Sequence, residues 1–318
     1  MGNILFASNN PTHFGPLTTT HLGSHDPARV PYSVQFDNVP IRSPDFKPSP
    51  GEHTWMRIRM AGSVIASGSG TGDIFYIFDN QDRLLLRWQK YQNSSTAKFT
   101  YYDTDGNTVD SGSASVNSYA FYDFHFHFTA FSMTTEVYLN NVLIGSNTFG
   151  ANPNNVSAVG YCQWQIKFTE SGTGRFSEFI VSDSDTRLAR LNMVRPTAVG
   201  NYSDWIGAIG TLADNNINTG LTSDTPNDRT SVVMEPYSNN EIISNVVVAS
   251  QHFRGQNSPS KLRHFLRASG IDYDHGTAFD VDFDASISQT DYKINPATSL
   301  PWTLADVAGI EFGFKIET

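Results

Sequence analysis

The residues best suited to chemistry in this chain cluster in Tyr122-Asp-Phe-His-Phe-His-Phe-Thr-Ala130. His125 and His127 stand two apart, so on a strand they share one face and could ligate a single metal ion. No third ligand is indicated locally, and the alternation of a strand's outer face accounts for the pair equally well. Asp103-Thr-Asp-Gly-Asn107 echoes a calcium loop, yet Gly106 is misplaced for that loop and Ala114 stands where its twelfth-position glutamate belongs. A glycine-containing hairpin turn is the simpler reading. Asp280, Asp282 and Asp284 alternate with Phe279, Val281 and Phe283, with Asp272 and Asp274 just upstream. Three carboxylates on one strand face repel one another unless something cationic lies across them. The run therefore reads as a solvated protective edge, a cation site or a contact for a basic subunit.

Signatures of catalysis are missing. There is no Gly-x-Ser-x-Gly elbow, and Gly68-Ser-Gly-Thr-Gly72 lacks the spacing and the Lys-Ser/Thr ending of a phosphate loop. Retaining glycosidases need two carboxyls about 5–5.5 Å apart. Here Glu136, Glu170 and Glu178 are scattered, and no pair is placed that way. Cys162, the single cysteine, lies in the apolar run Val159-Gly-Tyr-Cys-Gln-Trp-Gln-Ile and reads as a small buried hydrophobe rather than a nucleophile. Trp88, Tyr91 and Trp164 could stack on sugar rings, but Trp88 aligns with Leu84 and Leu86 as a core residue does; Tyr91 is freer. The expectation is a protein that is not an enzyme, with no catalytic residues, no metal set, and a ligand-binding site the sequence leaves unspecified.

These residues need strands to hold them. Of 318 residues, 39% are apolar, 13% aromatic and only 16% charged, which suits pleated, half-buried surfaces and argues against coiled coil or disorder. A net charge of −10 repels phosphate backbones, so nucleic acid is not an expected partner. No apolar run approaches the roughly 18–20 residues of a membrane span. The start, Met1-Gly-Asn-Ile-Leu-Phe, lacks the basic head and apolar stretch of a secretion signal, and Phe6 stands where a myristoylation site wants Ser or Thr. A soluble protein made in a cytoplasm is expected.

Residues 1–52 show one clear strand, Tyr32-Ser-Val-Gln-Phe36, within what reads as an N-terminal arm. From 53 to 190 short strands follow one another. Trp55–Met60 alternates, Asp73–Phe78 is apolar on both faces, Arg83–Tyr91 follows a turn at Asn80–Asp82, and Asn140-Asn141 makes a two-residue hairpin turn. Residues 191–318 form a second domain. Its strands fall near Ser231–Met234, Ile242–Ala249, Lys261–Arg267 and Ala278–Phe283, a helical turn starts at Thr303, and the last strand aligns Ile310, Phe312, Phe314 and Ile316. The fold class expected is all-β: a jelly-roll sandwich followed by a smaller β-sandwich.

Phe124-His-Phe-His-Phe, then Thr135-Glu-Val-Tyr-Leu-Asn-Asn-Val-Leu-Ile-Gly, then Phe176-Ser-Glu-Phe-Ile-Val-Ser-Asp resemble the concanavalin A/laminin G-like jelly roll over residues 30–190. Concanavalin-like domains often bind calcium, so the resemblance keeps a structural calcium ion open as a cofactor at Asp103–Asn107. Phe179-Ile-Val-Ser-Asp-Ser-Asp-Thr-Arg187, Arg195-Pro-Thr-Ala, Trp205-Ile-Gly and the ending Asn295-Pro-Ala-Thr, Pro-Trp-Thr-Leu-Ala, Gly-Ile-Glu-Phe-Gly-Phe-Lys resemble accessory structural proteins of tailed phages and prophages. That resemblance implies a virion location, with other virion proteins as partners, a homo-oligomeric mount, and either a tail-associated role that recognises bacterial surface glycan or a capsid-decoration or connector role binding only virion subunits.

Overall fold

The computed structural model describes residues 2–318 except 16–17, 24, 37–38, 61–70, 92–95, 104, 112–113, 116–118, 168–173, 215, 217, 238 and 257–258. The chain divides into two compact units, 2–193 and 194–318.

The first unit begins with β1 (Ile4–Ser8), β2 (Thr19–His21), β3 (Ser33–Phe36) and β4 (Ile41–Arg42). It continues through β5 (His53–Met60), β6 (Thr71–Asp79), β7 (Leu84–Tyr91), β8 (Thr96–Tyr102), β9 (Thr108–Asp110) and β10 (Ala114–Ser115). The last strands are β11 (Ala120–Phe128), β12 (Met133–Leu139), β13 (Val142–Phe149), β14 (Val159–Lys167) and β15 (Gly174–Ser182). One 8-stranded sheet runs β13-β12-β11-β5-β15-β3-β2, with β1 also paired to β15; the opposing 7-stranded sheet runs β10-β8-β7-β6-β14-β4, with β9 paired to β8. All pairings are antiparallel.

Alternation decides the packing. Met56, Ile58 and Met60 of β5 and Phe124, Phe126 and Phe128 of β11 enter one core with Phe75, Ile77, Leu86, Trp88, Phe99 and Trp164 of the opposite sheet. Trp164 lies flat on Phe176 (4.6 Å, 10°) and meets Phe14 edge-on. Cys162 is fully buried, which pushes its thiol well above the ordinary range. The N-terminal 52 residues correct the arm reading, because β1 and β3 both pair with β15 and β4 pairs with β14. Ile4–Ser8 is buried on both faces, so it carries no alternation to read.

The second unit contains β16 (Pro196–Ser203), β17 (Arg229–Met234), β18 (Val246–His252), β19 (Lys261–Ala268), β20 (Ile271–Asp274), β21 (Phe279–Asp280), β22 (Ser286–Tyr292), helix α1 (Leu304–Ala308) and β23 (Ile310–Glu317). A 6-stranded sheet, β16-β17-β23-β19-β20 with β21 beside β19, faces the pair β18-β22. Val232, Leu266, Ile310 and Phe312 of the sheet share a core with Val248 and Tyr292 of the pair. Thr303 caps α1 through a capping box with Asp306. The protein is all-β, a larger sandwich followed by a smaller one. No helix among the described residues is long and apolar enough to cross a membrane.

Candidate functional site

The solvent-facing side of the 8-stranded sheet carries a belt of ionisable and aromatic side chains set by strand register. On β5, His53, Trp55 and Arg57 point away from the core; on β11, Asp123, His125 and His127 do the same. Pairing puts His125 opposite Trp55 and Glu136, His127 opposite His53, and Asp123 opposite Arg57 and Tyr138. Residues directly opposite approach within about 4.5–5.5 Å, so each row becomes a contact.

The rings close face to face. Trp55 lies on His125 (4.0 Å, 13°) and His53 on His127 (4.2 Å, 14°). A hydrogen bond between His53 Nδ1 and His125 Nε2 (2.9 Å) ties the two pairs together. His125 Nδ1 bonds Glu136 Oε2 at 2.8 Å, and the Tyr138 hydroxyl donates to the same oxygen at 2.8 Å. Burial would raise the Glu136 carboxyl, but the bonds from His125 and Tyr138 outweigh it and hold it below its ordinary value. Burial likewise lowers His125, against the pull of Glu136, and pushes Tyr138 up to about 12, helped by its bond to Glu136. An ionised carboxylate only accepts hydrogen bonds, so His125 Nδ1 carries the hydrogen and Nε2 accepts from His53. His53 Nε2 is then left for an outside partner.

The chain after β15 folds over this face and completes it. The Thr186 hydroxyl donates to Asp123 Oδ1 at 3.2 Å, and Arg57 Nη1 donates to both Asp123 oxygens (3.1 and 3.0 Å) and to the Thr186 and Arg187 carbonyls. Arg187 is thereby laid over Tyr138 (4.7 Å) and Trp55 (5.2 Å) while Asp185 grips its Nε and Nη2. At the far end, His127 Nε2 lies 3.3 Å from Glu52, which borders an open cleft of about 240 Å³ lined also by Gly51, Phe128, Thr129, Asn152 and Asn155.

This arrangement presents carboxylate, imidazole and guanidinium groups along a sheet face, capable of hydrogen bonding to hydroxyls. No serine, threonine or cysteine side chain among the described residues hydrogen-bonds to these three histidines. Elsewhere Ser250 Oγ meets His264 Nε2 at 2.7 Å and Thr290 meets Nδ1, but His264 is fully buried in the second core.

Sequence reasoning singled out His125 and His127, and named Glu136 only as one of several scattered carboxylates. It missed His53, Trp55, Tyr138 and Arg187, which only register and a covering loop bring there. The rings of His125 and His127 are both engaged in stacking and hydrogen bonds. The Asp103 carboxylate is spent on its own turn, accepting from Asp105 N, Asn107 N and Asn107 Nδ2. The Asp280–Asp284 expectation is corrected: only Phe279–Asp280 is strand, so the three carboxylates do not share a strand face. Asp272 instead pairs with Arg229 and Arg267, and Asp274 with Lys315 (3.5 Å). Trp88 and Trp164 are core residues. Glu178 is clasped by Arg190. Glu170, Gly68–Gly70 and the Tyr91 side chain fall outside the described residues.

No family model and no curated protein matches this chain. Among solved structures it is similar to the binding domain of Paraclostridial Mosquitocidal Protein 1 (10% identity, TM-score 0.38, covering 74% of this chain and 76% of that one). It is also similar to alginate lyase AlyC3 in complex with dimannuronate (7%, 0.36, 48% and 76%) and to a heptameric SAP-like pentraxin from Limulus polyphemus (14%, 0.31, 46% and 72%). At these scores the likenesses assign neither activity nor ligand.

Proposed function

We propose that this chain is a virion structural protein whose first unit recognises a polysaccharide of the host surface. The observation that carries the reading is the belt of His53, His125, His127, Glu136, Tyr138 and Arg187 on an outer sheet face. Sugar hydroxyls both donate and accept, and they are met best by carboxylates, imidazoles and guanidinium groups held rigidly by neighbours. Here each group is pre-positioned by stacking or by a hydrogen bond, so little ordering cost remains for binding. His125 stacks on Trp55 and Arg187 lies over it, so contact runs through the polar edges of the belt. The virion setting rests on the sequence resemblance at 179–187, 195–198, 205–207 and 295–315.

A second reading, a decoration or connector protein that binds only virion subunits, is favoured by the exposed apolar side chains of the second unit: Ile206, Ile242, Phe253 and Phe283 are 78%, 94%, 59% and 64% exposed. Immunogold microscopy of source particles separates the two. Gold at the tail tip supports host recognition, gold over the head supports decoration, and intact particles without label would sink the virion setting.

A further inference from the structure

Strand β13 ends the 8-stranded sheet and, among the described residues, pairs only with β12. Among the described residues no other backbone pairs with its outer edge. Exposed edges are usually blunted with charge, proline or bulges. β13 has one bulge, where its register shifts opposite Val137 and Tyr138; the five residues beyond it, Gly145-Ser-Asn-Thr-Phe149, run unbroken. No charged residue occurs from Asn140 to Ala158, in a chain of net charge −10. This edge is therefore a place where two acidic copies can meet without repulsion.

We infer that Gly145–Phe149 pairs antiparallel with the same strand of a second copy about a two-fold axis through Asn147. That register sets Ser146 opposite the partner copy's position 148 and Thr148 opposite its position 146. Asn147 meets itself. Such a two-fold axis stands perpendicular to the sheet, so both belts lie on the same face. From β11 to its mate is five strand spacings of about 4.8 Å, which places the two His125 rows about 24 Å apart. The dimer is thus a two-site platform for a repeating polymer. This consequence rests on the glycan reading above; the interface itself does not.

Sedimentation velocity of the full chain tests the interface. Ser146 and Thr148 are exposed, so substitutions there leave the fold intact. Wild type is expected at twice 35.2 kDa. The double variant S146K/T148K sets lysine opposite lysine and is expected to be monomeric, whereas S146K/T148E sets lysine opposite glutamate and is expected to restore the dimer. On a polysaccharide-coated surface the second variant should bind about 100-fold more tightly than the first. A monomeric wild type, or a lysine–lysine variant that still dimerises, overturns the interface. A dimer that binds no polysaccharide in any form contradicts the glycan reading and leaves the interface standing.

Discussion

Arg57 and Asp123 face each other across β5 and β11, buried and joined by bonds of 3.1 and 3.0 Å from one guanidinium nitrogen to both carboxylate oxygens. The two partners are not equivalent. Burial pushes the Asp123 carboxyl up to about 6, against the pull of Arg57 and Thr186, so it can neutralise itself by taking a proton. A guanidinium cannot.

Removing Asp123 should therefore cost more than removing Arg57. Asp123→Asn strands a buried cation and is expected to lower stability by about 3–5 kcal/mol. Arg57→Met, with Asp123 protonated at pH 5, should cost clearly less. Urea unfolding checks this, with Asp123→Asn compared with wild type at pH 7.5, where the carboxyl is ionised, and Arg57→Met compared with wild type at pH 5; equal losses would contradict the asymmetry.

Buried histidine should weaken the fold in acid, against the opposite contribution of Asp123, whose raised carboxyl lets the folded chain take up a proton first. His13 is buried against Ser8 (2.8 Å) and burial lowers it from 6.5 to about 4. The unfolded chain then binds more protons than the folded one between these values, so stability rises with pH across that window and is lost as pH falls from 6.5 to 4. The difference is about 3 kcal/mol for this residue, and burial shifts His125 and His252 in the same direction. His13→Gln should flatten the stability-versus-pH curve in that window, measured by denaturant midpoints; an unchanged slope would assign the effect elsewhere.

Two glycines hold close approaches. A Cβ at Gly160 would lie 2.4 Å from the Asp79 carbonyl oxygen, and one at Gly313 would lie 2.1 Å from the Phe265 ring. Backbone cannot give way as a ring can. Gly160→Ala is expected to cost about 3 kcal/mol or more and Gly313→Ala about 1–3 kcal/mol, while Gly51→Ala, with open space around it, should stay within about 0.5 kcal/mol. Thermal unfolding of the three variants gives the order.

The strands with alternating faces were legible in the sequence. Phe124, Phe126 and Phe128 against His125 and His127, the Asn140-Asn141 turn with both residues at positive φ, and the Thr303 cap all stand where pattern and turn chemistry place them. Buried and very short strands were not legible, because Ile4–Ser8 has no alternation and its partner β15 lies more than 160 residues along. The belt was half legible for a related reason. His125 and His127 announce themselves, but Trp55 and His53 join them only through register, and Arg187 arrives on a loop that no periodicity marks. At Phe279–Phe283 the apparent period-two pattern misled, because regular pairing to β19 ends at Asp280.

The most direct test of the glycan reading is calorimetric titration of host surface polysaccharide into wild type, His53→Ala and Arg187→Ala, each confirmed folded by thermal unfolding. The account predicts binding by wild type and a loss of about tenfold or more in each variant, the size of one or two hydrogen bonds to charged or polar groups. No heat with wild type, or equal affinity in all three, would contradict it.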